Sequence, residues 1–184
     1  MSVVIPTVGR ETLRATLASV ASQLEGRDEV LVIGDGRPAR AREIFAQQRR
    51  GRWHYLETEG PCSDAGGTQR DLAAGVASCD HLCFMDDDDV FTPAALAAIR
   101  RGVVEYPDRV LMFRMDNYGT VLWRERVIVY GNVGTPMVVV PTDAPRLASW
   151  RLGDYEFIRG TCERLGEPVW RDEVVAIVRP HVPR

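Results

Sequence analysis

The sequence contains no lysine, and all 23 of its basic residues are arginine. A chain without lysine cannot supply the lysine of a P-loop, so P-loop NTPases are excluded, as is every mechanism that needs a lysine side chain. The four cysteines (Cys62, Cys79, Cys83 and Cys162) form no CxxC pair and no Cys/His ligand set. This spacing is typical of free thiols and argues against a zinc site.

Long apolar runs are missing as well. No stretch approaches the roughly 18 apolar residues that span a bilayer, and the N-terminus has no signal-peptide pattern. The net charge of -3 and the pI of about 5.7 indicate neither a nucleic-acid-binding face nor a polybasic membrane patch. We therefore expect a cytoplasmic protein that binds no nucleic acid and spans no membrane. Its length of 184 residues predicts one domain, residues 1–184.

Strands and helices are predicted to alternate four times within the first hundred residues. Short apolar runs predict strands at residues 3–5, 30–33, 53–56 and 81–85. Periodic patterns predict helices at 13–24, 39–50 and 68–78, and a fourth helix that Thr92 caps. This alternation is typical of a mostly parallel α/β sheet, in which ligands bind at the carboxyl ends of the strands. Asp35 and the run Asp86-Asp87-Asp88-Asp89 both fall at that edge.

The second half has a different pattern, which predicts a smaller mixed or antiparallel region. Extended segments are expected at residues 110–115 and 121–129, followed by a glycine-rich turn at 131–134 and a strand at 137–140. A helix is predicted at 154–165 and a last strand at 174–178.

The four adjacent aspartates need a partner. Neighbouring carboxylates repel one another unless a cation or hydrogen-bond donors offset their charge. Mg²⁺ and Mn²⁺ prefer carboxylate oxygens and take further ligands from substrate phosphates, so the run suits a metal–diphosphate complex. The alternative is a solvated acidic turn that leads into the next helix, with Asp89 as a helix-start residue.

Four short motifs in order resemble glycosyltransferase family 2, the inverting enzymes of GT-A fold. The opening residues 3–10 and the following helix are similar to the start of that family. Residues 32–36 resemble its "DDGS" element, with Gly34 for the first aspartate and Arg37 for the serine. Residues 67–73 resemble its "ARNxG" helix start, with Asp71 where asparagine is usual. Residues 84–89 match its DXD motif, with Asp86 and Asp88 in the two DXD places.

The resemblance implies a single GT-A (Rossmann-like) domain with a mostly parallel central sheet. Residues 1–93 would form the nucleotide-sugar-binding half and residues 94–184 the acceptor-binding half. The implied activity is an inverting, metal-dependent transfer of the hexosyltransferase type, from a nucleotide-diphospho-sugar (a UDP-sugar is favoured) to an acceptor hydroxyl. Mn²⁺ or Mg²⁺ would be the cofactor. The acceptor and the oligomeric state stay undefined.

The resemblance also implies roles for individual residues. The backbone of residues 6–9, including Pro6, Thr7 and Gly9, would lie against the nucleoside. Asp35 would accept a hydrogen bond from the base, and Arg70 would reach the base or the diphosphate. Asp86 would contact the ribose or a metal-bound water and Asp88 would ligate the metal, with Asp87 as an alternative ligand. His181 is a candidate third metal ligand, the alternative being a surface residue near the chain end.

Inverting transfer also needs a general base for the acceptor hydroxyl. The family places this base in an "ED" pair at a helix start, and Gly153-Asp154 is similar, with glycine for the glutamate. Asp154 is therefore the first candidate and Glu156 the substitute, while the alternative for Asp154 is a helix cap.

Two other functions compete with this one. A sugar-nucleotide pyrophosphorylase shares the nucleotide-binding sheet, but it normally uses a glycine-rich loop with lysine, which this chain lacks. A non-catalytic nucleotide- or metal-binding module is the other alternative, and such a module would not need Asp154.

Overall fold

The computed structural model of the protein describes residues 1–144 and 153–178. Its strands are β1 (Ser2–Thr7), β2 (Glu29–Gly34), β3 (Trp53–Glu57), β4 (His81–Phe84), β5 (Val90–Phe91), β6 (Leu111–Asn117), β7 (Thr120–Leu122), β8 (Val138–Pro141) and β9 (Val169–Val178). Its helices are α1 (Leu13–Ala21), α2 (Ala39–Gln48), α3 (Gly67–Val76), α4 (Ala95–Glu105) and α5 (Asp154–Leu165), with a 3-10 helix at Thr135–Met137.

Within these residues the strands form one curled sheet in the order β3-β2-β1-β4-β8-β6-β9-β5, with β7 paired to β6. The strands β3, β2, β1 and β4 are all parallel, and Thr7 of β1 lies opposite Gly34 of β2. Buried Val and Ile side chains fill β1 and β2, as expected for parallel strands covered on both faces. The predicted α/β class and parallel central sheet are confirmed.

The other side of the sheet is mixed, also as predicted. β8 runs antiparallel to β4 and to β6, while β9 runs parallel to β6. Two details of the prediction are wrong. The extended segment predicted at 121–129 is a strand only at Thr120–Leu122, and the last strand begins at Val169 rather than at Val174.

Asn132 explains why the chain leaves the sheet after β7. The side-chain amide of this buried residue donates to the carbonyl groups of Glu125 and Val127 and accepts from the backbone N–H of Arg124. These bonds fold residues 124–132 into a loop, so the backbone groups that a strand would pair are already satisfied. The valines of this segment resemble a strand in sequence only.

Thr92 does not cap α4, contrary to the prediction. Its hydroxyl donates to the carbonyl oxygen of Val174 at 2.6 Å, and the helix begins at Ala95 without a side-chain cap. Asp89 is not a helix-start residue either, since it is buried five residues before Ala94, and its carbonyl oxygen accepts the Thr16 hydroxyl at 2.7 Å. The Thr92 hydroxyl is therefore bound to β9 and the Asp89 carbonyl oxygen to α1.

The hydrophobic core lies on both faces of the sheet. α1 buries Leu13, Leu17 and Val20, and each such side chain contributes about 1.5–3 kcal/mol by leaving water. α5 packs on β4 through an edge-to-face contact of Phe157 with Phe84, whose ring centroids are 6.2 Å apart. Among the described residues, no helix combines the length and the apolar character needed to cross a membrane.

Candidate active site

A cavity of about 420 Å³ opens at the carboxyl ends of β1, β2 and β4. Because parallel strands end at the same edge, three loops that are distant in sequence meet there. Its lining residues are Pro6, Thr7, Val8, Arg10, Asp35, Ser63, Ala65, Gly66, Gln69, Asp86, Asp87 and Asp88. Of the predicted donor-site residues, Pro6, Thr7, Asp35, Asp86, Asp87 and Asp88 line it.

Asp87 connects the acidic run to the end of β1. It is 2% exposed, and its Oδ2 accepts the Thr7 hydroxyl at 2.6 Å and the backbone N–H of Val8 at 3.2 Å. Its Oδ1 accepts Nη1 of Arg10 at 2.5 Å. Both oxygens are therefore bound to the first loop of the protein, which holds the two walls of the cavity together.

Arg10 is a cavity residue that the sequence analysis did not identify. Its Nη1 lies 2.5 Å from Asp87 Oδ1 and 3.8 Å from Asp88 Oδ2, and its side chain is 51% exposed. The guanidinium group thus offsets part of the acidic run while it faces solvent. Its position directly after the Pro6–Gly9 turn was the one available signal in the sequence.

The buried Arg70 forms an ion pair with the half-buried Asp86. Its side chain is 3% exposed, its Nη2 donates to Asp86 Oδ1, and its Nη1 donates to the Ala65 carbonyl oxygen at 2.9 Å. Gly66 makes this packing feasible. It has a φ of +87°, and a Cβ there would lie 3.0 Å from Pro6 Cβ and 3.1 Å from Arg70 Nη1.

The charges of two other carboxylates, Asp88 and Asp154, act on Asp86. Burial raises the pKa of Asp86 above its ordinary value; the positive charge of Arg70 opposes this rise, and the negative charges of Asp154 and Asp88 add to it. The charge of Asp154, far away in sequence, thus acts on the DXD aspartate. The contact of α5 with β4 explains this proximity, since Phe157 lies one turn after Asp154 and Phe84 lies two residues before Asp86.

The two candidate bases have different surroundings. Asp154, at the N-terminus of α5, is half-buried, and its Oδ2 accepts the backbone N–H of Thr135 at 3.2 Å. No side-chain capping bond is present on this helix, so the helix-cap alternative is not what holds Asp154. Glu156 instead pairs with Arg159 at 2.7 Å on the helix surface.

Asp35 is held from two sides. Its Oδ1 accepts the backbone N–H of Cys62 at 2.8 Å and Nε2 of Gln69 at 2.7 Å. Gln69 could not be recognised from the sequence, because a glutamine within a helix forms no motif that would indicate a distant partner. Gly34 next to Asp35 has no room for a side chain, since a Cβ would lie 2.7 Å from the Tyr55 hydroxyl oxygen.

The described residues do not form a complete metal cage. No group of three His, Cys, Asp or Glu side chains among them is arranged to hold a metal ion. Asp86 and Asp88 nevertheless line one cavity and repel each other, which suits a cation that takes its other ligands from a bound phosphate group. The predicted third ligand, His181, lies outside the described residues.

Sheet and cavity together define an α/β protein with an acidic ligand site at the carboxyl edge of its parallel strands. The sequence profile described as "Glycosyl transferase family 2" matches residues 2–144. The chain therefore belongs to glycosyl transferase family 2, and the resemblance noted in the sequence is confirmed. No curated protein matches the chain in sequence.

Solved structures of S. aureus TarS have the same GT-A fold. TarS 1–349 superimposes with a TM-score of 0.75 at 17% identity, over 96% of this chain and 59% of that one. Its complex with UDP-GlcNAc gives 0.74 at 18% identity, over 100% of this chain and 59% of that one. TarS itself gives 0.75 at 18% identity, and there the chain spans 36% of the other protein's length.

Proposed function

We propose that this chain is an inverting, metal-dependent glycosyltransferase that moves a sugar from a nucleotide-diphospho-sugar to an acceptor hydroxyl. The observation that carries the proposal is that Asp86 and Asp88 line one cavity, while the packing of Phe157 on Phe84 brings Asp154 close enough for its charge to act on Asp86. Family membership supports sugar transfer, and TarS 1–349 has been solved in complex with UDP-GlcNAc and with UDP. A UDP-sugar is accordingly the favoured donor.

In this proposal, residues 1–93 bind the donor. Asp35 would accept a hydrogen bond from the base, while the backbone of Pro6 to Gly9 would lie against the nucleoside. Asp88, with Asp86 and His181, would hold Mn²⁺ or Mg²⁺, and the ion would neutralise the charge that grows on the leaving diphosphate. Arg10 adds a fixed positive charge next to these carboxylates.

Residues 94–184 would bind the acceptor, and Asp154 would be the general base. Asp154 would take the proton of the acceptor hydroxyl while that oxygen bonds to the anomeric carbon and the bond to the diphosphate oxygen breaks. The backbone N–H of Thr135 holds its Oδ2, whereas the side chain of Glu156 is paired with Arg159. Geometry therefore favours Asp154 over Glu156.

The rings of Tyr130 and Tyr155 would form an acceptor rim near this base. They lie edge to face with centroids 6.3 Å apart, and Tyr130 is 88% exposed. Tyr155 directly follows Asp154 in the sequence, so these rings are the candidates for contact with the acceptor. Exposed aromatic rings offer an apolar face with a hydroxyl at the edge, which suits a sugar-containing acceptor.

A thermal-shift screen tests the proposal. UDP-, GDP- and dTDP-sugars are added to the protein with Mn²⁺ and with EDTA, and the melting temperature is recorded. We expect a nucleotide-sugar to raise it in the presence of Mn²⁺ and much less in EDTA, since binding to the native state alone stabilises it. A shift with Mn²⁺ that no nucleotide or nucleotide-sugar increases would contradict the proposed function.

A further inference from the structure

Gln69 is a buried polar residue of the cavity that the proposed mechanism does not use. It is 1% exposed, lies in the first turn of α3, and donates from Nε2 to Asp35 Oδ1 at 2.7 Å. A carboxylate can only accept, so the amide nitrogen rather than the amide oxygen must face Asp35. The orientation of the glutamine is thereby fixed by chemistry.

This bond determines which carboxylate oxygen of Asp35 is available to a ligand. A carboxylate oxygen has two lone pairs, and Oδ1 already accepts both Gln69 and the backbone N–H of Cys62 at 2.8 Å. Within residues 1–144 and 153–178, no hydrogen bond reaches Oδ2, and Asp35 lines the cavity. One carboxylate oxygen is left for the base.

The remaining atoms of the glutamine add no second acceptor at the cavity surface. Its Oε1 is buried and has no hydrogen-bond partner among the described residues. The base would therefore meet a single strong acceptor at Asp35, and the influence of Gln69 would pass through that carboxylate.

We propose that Gln69 is a positioning residue that makes Asp35 selective for uracil or thymine in the donor. Both bases present one ring N–H, N3–H, between two carbonyl oxygens, which matches a single acceptor. Guanine presents N1–H and the N2 amino group side by side and is matched by two carboxylate oxygens, while cytosine and adenine present a ring acceptor, which a carboxylate repels. The inference rests on the proposed function, because it assumes that the cavity binds a nucleoside diphosphate.

Base selectivity is tested by titrating the protein with UDP, dTDP, dUDP, GDP and CDP in the presence of Mn²⁺. We expect UDP to bind at least about tenfold more tightly than GDP or CDP, since a lost or mismatched polar contact costs at least this much. dUDP against UDP measures the ribose hydroxyl, and dTDP against dUDP measures the methyl group, so the two candidate bases are separated.

The Gln69→Leu variant keeps the approximate volume but frees one lone pair of Oδ1, while the bond from Cys62 remains. We expect it to reduce the UDP-over-GDP preference to less than about threefold, because Asp35 then offers two oxygens to guanine. Gln47→Leu, on the exposed face of α2, is the matched control and should keep the wild-type ratio. An unchanged ratio in folded Gln69→Leu would overturn the inference.

A chemical probe covers the case in which Gln69→Leu does not fold. N3-methyl-UDP lacks the one donor that Asp35 is expected to read, so wild-type protein should bind it at least about tenfold more weakly than UDP. Equal binding of N3-methyl-UDP and UDP, or a preference for GDP, would overturn the inference. If no nucleoside diphosphate binds at all, the proposed function fails, whereas binding without base preference removes this inference alone.

Discussion

The proposed donor side of the molecule (residues 1–93) holds buried charged side chains that neighbouring loops bind, whereas the proposed acceptor side (residues 94–184) exposes apolar ones. Asp87 is 2% exposed and Arg70 is 3% exposed, and both are bound to neighbouring loops. On the acceptor side, Val127 is 40% exposed and Tyr130 is 88% exposed.

This difference separates two kinds of specificity. A charged network with satisfied hydrogen bonds admits few arrangements and suits one invariant group, such as a diphosphate. An exposed apolar rim makes few directional contacts and suits acceptors of varied shape. Substitutions of buried donor-side residues should therefore change binding and stability together, those of exposed donor-side residues should change binding, and those on the acceptor rim should change only the use of the acceptor.

The largest effect is expected for Asp154→Asn, which removes the proposed general base. Loss of a general base typically costs a factor of about 10²–10⁴ in rate, while the affinity for UDP should stay within about twofold. Turnover is measured by nucleotide release and affinity by titration. Glu156→Gln is the matched control and should retain most activity. If Glu156→Gln is the inactive variant instead, the assignment of the base is wrong.

Gly34 tests whether the donor side tolerates any added atom. Gly34→Ala places a Cβ against the Tyr55 hydroxyl and Pro38, and we expect the free energy of unfolding to fall by about 1–3 kcal/mol. Gly75→Ala, in α3 with open space around it, should raise it by about 0.5–1 kcal/mol. Chemical denaturation measures both, and equal effects would show that the contact at Gly34 relaxes freely.

Substitution of Arg10 tests whether its positive charge contributes to ligand binding without contributing to folding. In Arg10→Gln, Asp87 keeps its bonds from Thr7 and Val8, so folding should change little, but UDP affinity with Mn²⁺ should fall about five- to tenfold. Arg14→Gln removes an exposed ion pair with Glu11 and should leave UDP affinity unchanged. Comparable losses in both variants would mean that overall charge, not the position of Arg10, governs binding.

The raised pKa of Asp86 predicts a pH dependence of the apoprotein. Since burial raises the folded-state pKa above the unfolded one, the ionised form is less favourable in the fold, and stability is lost as the pH rises between the two values. Asp86→Asn should remove this part of the pH profile of the melting temperature. Mn²⁺ should offset the loss in wild-type protein, because the ion would bind the ionised form of the carboxylate. Identical profiles of the two apoproteins would contradict the predicted effect.

The smallest effect is expected on the acceptor rim. Tyr130→Ala removes a side chain that is 88% exposed, so the melting temperature and UDP affinity should stay at wild-type values. The KM for the acceptor should rise about two- to tenfold, in line with the loss of one aromatic contact. Tyr118→Ala, at another exposed tyrosine, is the control. A lowered UDP affinity in Tyr130→Ala would show that the two sides are not independent.

Much of the donor side could be predicted from the sequence, because strand ends and acidic runs are local signals. Asp35 and Asp86 to Asp88 were placed at one sheet edge from the alternation of strands and helices alone. The roles of Arg10 and Gln69 depend on partners 77 and 34 residues away, which no local pattern reveals.

The second half was harder to predict for the same reason. The valines of residues 121–129 predict a strand, but hydrogen bonds from the Asn132 side chain hold this segment in a loop. β5 has only two residues, which is too few to show the alternation of apolar and polar residues typical of a strand. Thr92 is a typical helix-cap residue in sequence, but in the structure its hydroxyl donates to a carbonyl oxygen of β9. Tertiary partners decided each of these cases over local propensity.

The most direct test of the account is a calorimetric titration of UDP into wild-type protein and into Asp88→Asn, each with Mn²⁺ and with EDTA. We expect Mn²⁺ to tighten UDP binding by at least about tenfold in wild-type protein, because the ion would be held by both the acidic run and the diphosphate. In Asp88→Asn this gain should fall to about twofold or less. An equal gain from Mn²⁺ in both proteins, or none in wild type, would contradict the assignment of the acidic run as the metal–diphosphate site.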